Sequence, residues 1–254
     1  MNPTMTIARK EVKNFFQGFK GIMILFLFLS FIGWFFNSFI SNYHFLKQQT
    51  DINVGNLPSL DDIITSIFHN LHFILIMIIP AVTMTTFSGV EHNKTNKLLF
   101  SSPLSPASIV LGKFGGIVSI VMVMMLLASV QQLFLAVFGD VDTGAFLSAY
   151  LGFALLCFSH ISFGMWVSSM CSSQILSFIF TLFGFILMLV MGWLAPTMTS
   201  NGFVESFLVY LAALPHLEPF LQGTVALSHT AYFLIVTGFF LFLTHMSVDS
   251  KKWR

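Results

Sequence analysis

Charged side chains are scarce in this sequence. They make up 8% of 254 residues, whereas 56% are hydrophobic, and an ordinary soluble domain carries roughly 25% charge. Long apolar runs separated by short polar loops place the burial in lipid instead of in a water-surrounded core. Cysteine is nearly missing too: Cys157 lies within an apolar run and Cys171 in a short loop, which excludes a disulfide framework and leaves the redox compartment open. The first apolar run, Gly21 to Ile40, has no small-residue cleavage site after it. It is longer than a signal peptide core and carries Trp34 and four phenylalanines past position 30, so it reads as a retained span.

Two further absences concern energy supply. There is no G-x-x-x-x-G-K-[ST] loop; the one Gly-Lys pair, Gly112 with Lys113, lacks both the upstream glycine spacing and the following hydroxyl. Nor does any Asp, Glu, Lys or Arg fall deep in an apolar run. Ion-coupled transporters keep such groups at depth despite a cost of ~3 kcal/mol or more each, because the coupling ion needs them. A self-powered secondary transporter, a proton relay and a voltage sensor are all disfavoured, and any uphill movement requires energy from a partner.

What is present is an all-α pattern. Six stretches reach the ~20 apolar residues that a bilayer core demands: 21–41, 63–87, 109–138, 145–168, 174–196 and 226–247. The third exceeds what a membrane needs, so its first turns, with Lys113, belong at the interface. Helix starts are signalled by Ser59 with Asp62, by Ser105 before Pro106, and by Thr143. Pro80 is expected to bend or loosen the second span.

An N-terminus in the cytoplasm puts Arg9, Lys10, Lys13, Lys20, Lys94, Lys97, Lys113, Lys251, Lys252 and Arg254 inside and only Lys47 outside. That asymmetry sets the orientation, with both termini cytoplasmic and an even number of spans. Between the last two spans, Phe203 to Leu214 is too short to cross and is bounded by Pro215 and Pro219. It reads as a short helix dipping into the outer leaflet. The whole chain, 1–254, is expected to be one transmembrane domain.

Two segments on the basic side suggest docking. From residue 4 to 20, Met5, Ala8, Val12, Phe15, Phe16 and Phe19 recur at helical spacing, with Thr6, Arg9, Lys10, Lys13, Gln17 and Lys20 opposite. This predicts an amphipathic helix in the interface, cations toward lipid phosphates or a partner; a plain orientation anchor satisfies the same pattern. The loop from Ser88 to Lys113 opens polar, Glu91 through Lys97, and continues with Leu98, Leu99 and Phe100. A short helix there would offer an apolar knob to a groove in a peripheral protein, and a solvated connector is the plainer alternative.

Polar residues within spans divide similarly. His69, His72 and His160 suit haem or metal ligation chemically, but no carboxylate or thiol cluster accompanies them, and interhelical hydrogen bonding is the simpler role. His216 and Glu218, between two prolines, read as a rigid outer turn. Fourteen methionines invite thought of Cu(I), yet they are spread over several helical faces, as packing residues are. Gln131, Gln132, Ser159 and Ser162, with Ser168 and Ser169, are candidates for a subunit interface or polar path, or for ordinary helix-to-helix bonding.

Three stretches carry a family resemblance. Ile7-Ala8-Arg9-Lys10-Glu11-Val12-Lys13-Asn14-Phe15-Phe16 is the first. The second is Thr95-Asn96-Lys97-Leu98-Leu99-Phe100-Ser101-Ser102-Pro103-Leu104-Ser105, followed by Ile109 to Phe114. The third runs from Pro215-His216-Leu217 through Phe220 and Gly223 to Lys252-Trp253. In this order and topology they resemble ABC-2 type transporter permeases, most of all the gliding-motility-associated and nitrous oxide reductase maturation permeases.

The resemblance implies an interfacial helix with Arg9, Lys10, Glu11, Lys13, Phe15 and Phe16. It also implies an ATPase-docking coupling helix with Glu91, Lys94, Thr95, Lys97, Leu98, Leu99 and Phe100, and a re-entrant outer segment before the last helix. It implies a non-enzymatic permease in a bacterial inner membrane, paired with a second permease, identical or paralogous, and with an ABC ATPase that binds the ATP and Mg. Many relatives have a glycine before the threonine and an acidic residue soon after it. This chain has Lys94 and Lys97, so acidic groups are expected on the partner. Export or an envelope process is the implied output; a membrane scaffold for an envelope or motility complex is the alternative, and an intramembrane histidine enzyme the remotest.

Overall fold

The computed structural model describes residues 3–49, 60–88, 105–138, 142–194 and 202–252. Among them the elements are all helices: α1 (Pro3–Gln17), α2 (Phe19–Gln49), α3 (Leu60–Thr83), α4 (Pro106–Phe138), α5 (Thr143–Met170), α6 (Gln174–Leu194), α7 (Phe203–Leu211), α8 (Leu214–Leu221) and α9 (Leu227–Lys252). Six of these, α2, α3, α4, α5, α6 and α9, are long and apolar enough to cross a membrane. The chain is thus an all-helical, multi-pass membrane protein.

Helix boundaries shift from expectation for identifiable reasons. Helix α2 continues to Gln49 because nothing after Gly33 in that stretch breaks a helix. Helix α3 contains Pro80 and ends at Thr83, not residue 87, giving way to a turn over 84–88. The α5 cap is Asp142, one residue before the expected Thr143: its Oδ1 accepts from the Gly144 amide at 2.8 Å. Ser105 does cap α4, accepting from the Ser108 amide at 3.3 Å. Ser59 lies outside the described residues.

Helices α3 and α5 form the centre, and α4 lies against them. Phe68, Leu75 and Ile79 of α3 are fully buried with Phe153, Leu156 and Ile161 of α5 and Met124 of α4. Phe68 meets Tyr150 edge-on at 5.1 Å and Phe153 at 5.5 Å, separations at which aromatic pairs gain beyond simple burial. Helices α2, α6 and α9 are peripheral, exposing Phe26, Phe180, Phe183 and Phe239 among others. In water such a surface would be an association liability; around a membrane bundle it is the lipid-facing shell.

The outer segment corrects its expected form. It is two short helices, α7 and α8, and Pro215 and Pro219 do not bound it. Pro215 occupies the first turn of α8, where its missing N–H removes no helical bond, and Pro219 lies within the same helix. His216 and Glu218 are therefore helical, not in a turn. Phe220 seats α8 on α5 at Gly152, where a Cβ would come within 2.4 Å of the Phe220 side chain.

Candidate functional site

The N-terminal helix is not free on a surface: α1 lies across the start of α4. Its inward stripe is Thr4, Ile7, Ala8, Glu11, Val12 and Phe15, about one position round from the predicted apolar face. Met5 and Phe19, expected on that face, point outward. The reason is on α4, where Gly112 and Gly116 form a small-xxx-small groove that admits another helix closely. A Cβ at Gly112 would lie 2.8 Å from the Thr4 carbonyl oxygen and 2.9 Å from Ile7 Cβ; one at Gly116 would lie 2.8 Å from Glu11 Cβ.

Between those glycines stands Lys113. Its Nζ donates to Glu11 Oε1 at 3.0 Å and to the Thr86 carbonyl at 2.7 Å, and it sits 5.3 Å from the centre of the Phe87 ring. Lys113 is largely buried and Glu11 half-buried, so the pair is less screened than a surface one. One ammonium joins α1, α4 and the turn that leaves α3.

The same turn has a second anchor. Ser168, near the end of α5, accepts from the amides of Phe87 and Ser88, both at 3.1 Å, and donates to the Met84 carbonyl at 3.2 Å. Ser88 Oγ bonds back to the same Met84 carbonyl. Nearby, Ser247 of α9 donates to the Ser169 carbonyl at 3.3 Å. Residues 84–88 therefore end α3 in a knot tied to α1, α4 and α5 just before residues 89–104. The predicted docking residues Glu91, Lys94, Thr95, Lys97, Leu98, Leu99 and Phe100 lie outside the described residues.

Of the other interfacial-helix residues, Arg9, Lys10 and Lys13 are exposed, while Phe15 and Phe16 pack against the core. The basic face thus remains available beside the knot. Sequence reasoning singled out Glu11, Lys113 and Ser168 separately but could not join them. The Gly112-x-x-x-Gly116 spacing was the signal pointing to a helix packed there.

The path candidates are in the interior of this subunit. Gln132 is buried and its Oε1 accepts from the Tyr150 hydroxyl; the Gln131 amide lies 3.4 Å from where a Cβ on Gly33 would stand. Gln131 Oε1 and Gln132 Nε2 are buried without partners among the described residues. Ser159 and Ser162 bond back to carbonyls of their own helix, those of Leu156 and Ser159, each at 2.8 Å. His160 likewise bonds the Leu156 carbonyl through Nδ1 at 2.9 Å, and its ring meets His72 edge-on at 5.6 Å. Among the described residues no group of three His, Cys, Asp or Glu is placed to hold a metal.

On the opposite end, four rings lock α7, α8 and α9 together. His216 stacks on Tyr232 at 3.8 Å, its Nε2 donates to the Tyr210 carbonyl at 3.1 Å, and its Nδ1 is 2.9 Å from Nδ1 of His229. A carbonyl only accepts, so Nε2 of His216 carries the proton; its neutral Nδ1 then accepts from His229. Burial lowers the pKa of His216, the Tyr210 bond opposes this, and the neighbouring His229 lowers it further.

The chain also has a relationship to known proteins. A family model described as ABC-2 family transporter protein matches residues 5–247, from α1 to the end region of α9. No curated protein matches the sequence.

Proposed function

The chain belongs to the ABC-2 family of transporter proteins and is the membrane component of an ABC transporter, and from that premise we propose that a separate nucleotide-binding subunit drives it by docking on residues 91–101. The observation that supports this reading is the knot over residues 84–88. The segment that would meet the ATPase leaves α3 through a turn held by Lys113 and Ser168. A push on that segment is passed to α1, α4 and α5 together, not absorbed by a loose loop. Closure of the ATPase pair would then tilt helices as bodies, in the manner of other hinge and shear transitions.

In this reading the termini are cytoplasmic, the membrane is the bacterial inner one, and a second permease, identical or paralogous, completes an export or envelope machine. ATP and Mg belong to the ATPase. The resemblance of the Pro215–Gly223 segment and Lys252-Trp253 to the gliding-motility-associated and nitrous oxide reductase maturation permeases supports a role of that kind within this reading. Lys94 and Lys97 call for acidic groups on the ATPase.

The test is affinity purification of the tagged chain in mild detergent, with mass spectrometry and an ATPase assay on what accompanies it. The expected result is a Walker-motif protein with vanadate-sensitive hydrolysis, lost when Leu98 and Leu99 are both replaced by Asp. Recovery of envelope partners without an ATPase would replace this reading with a membrane scaffold.

A further inference from the structure

The elbow between α1 and α2 frames a cleft of about 640 Å³. Its floor and walls come from α2, from the end of α3 and from α4. This is roughly twenty times the ~30 Å³ that one water occupies in the liquid, so a chain of ordered waters would need many polar partners. The walls do not offer them: Met23, Ile24, Leu27, Val82, Ile117 and Ile120 line the interior.

Polar groups collect at one end. Asn14, Lys20, Thr85 and Thr86 stand at the mouth, level with Lys113, whereas Leu27 lies two turns of α2, about 10 Å, further in. Glu11 also faces the cleft, but its charge is committed to Lys113 at 3.0 Å. Lys20 is exposed and makes no ion pair among the described residues. The uncommitted charge at the mouth is therefore a single cation beside an apolar slot that starts at the membrane boundary.

We infer that this cleft is a binding site for one anionic phospholipid, its headgroup at Lys20 and the upper part of an acyl chain along Met23, Leu27, Ile117 and Ile120. The elbow that frames the mouth is fixed by contact: a Cβ on Gly21 would lie 1.9 Å from the Phe15 carbonyl oxygen. A lipid held there would fill the space behind α1 and support its seat on α4. The site is independent of ATPase docking and exists in either orientation of the chain.

Native mass spectrometry of the delipidated full-length protein, titrated with phosphatidylglycerol or phosphatidylcholine of matched chains, tests the site. One phosphatidylglycerol adduct should outlast the rest under activation. The preference should be about fivefold over phosphatidylcholine, the ratio that ~1 kcal/mol per membrane-proximal cation gives. Lys20→Gln should equalise the two headgroups without abolishing the adduct. Leu27→Trp, which fills a half-exposed wall, should abolish it, as should Met23→Trp; Leu111→Trp, on an exposed face of α4, should not. Equal retention of both lipids by the unaltered protein, or an adduct that survives both wall substitutions, would overturn the assignment and leave ordinary annular lipid.

Discussion

Lys113 and Glu11 pair at 3.0 Å across 102 positions of sequence, fastening a helix that does not cross the membrane to one that does. The pair sits over the Gly112 and Gly116 groove, so charge and shape act on the same contact. Because Lys113 also bonds the Thr86 carbonyl, the position of α1 and the direction in which the chain leaves α3 depend on one side chain.

Removing that side chain should cost more than removing its partner. Lys113→Met deprives both Glu11 and the Thr86 carbonyl and should destabilise by roughly 2 kcal/mol, the scale of hydrogen bonds to charged groups. Glu11→Gln, which leaves the carbonyl bonded, should cost about half of that. Thermal unfolding in nanodiscs, with protease access to α1, gives both values. Exchanging the two residues should restore the pair but not the Thr86 bond, so full recovery would refute a role for that carbonyl.

Ser168→Ala strips two amides, those of Phe87 and Ser88, of their acceptor. Each buried unpaired donor costs about 1–3 kcal/mol. If an ATPase docks on residues 91–101 as proposed, the expected phenotype is specific: that ATPase still co-purifies, but its hydrolysis no longer responds to the permease. Loss of co-purification together with loss of response would instead mean that the substitution disorders the proposed docking segment itself.

Gly116→Leu should expel α1 from its groove, since even a Cβ at that position would lie 2.8 Å from Glu11 Cβ. Overpacking of this kind costs about 1–3 kcal/mol. Protease access to α1 measures the contact. Unchanged protection of α1 in the Gly116→Leu protein would show that the groove is not what seats the helix.

The ring lock of α7, α8 and α9 should weaken in acid. His216 titrates lower in the folded chain than free imidazole, so the open form binds the proton more readily. The stabilisation is then complete above the ordinary histidine value of about 6.5 and declines as pH falls below it. His229, Tyr210 and Tyr232 are the titratable groups in contact with it. Hydrogen-exchange protection of α8 should be lower at pH 5.5 than at pH 7.5, and His216→Gln should remove the difference; protection independent of pH would refute the lock.

The six spans were legible because length and apolarity act locally: twenty residues suffice to decide each. Ser105 was legible for the same reason, as a cap needs only its own first turn. The contact face of α1 was misread by a position because periodicity reports where apolar residues recur. It does not report that a glycine groove on α4 would receive Ile7 and Ala8 and leave Met5 outside. Pro215 and Pro219 were read as boundaries, but a proline in the first turn starts a helix as readily as it stops one. Nothing local links Glu11 to Lys113, or Ser168 to Phe87; those partners are defined only once α4 and α5 stand side by side.

Helix α5 runs unbroken for 28 residues without a proline, about 42 Å at the helical rise. One end of it holds the turn after α3 through Ser168, and the other carries Gly152 under Phe220 and Tyr150 beside Gln132. It is a single strut that links the two ends of the bundle. A tilt of α5 as a rigid body that leaves the Ser168 bonds intact must also carry the seat of α8.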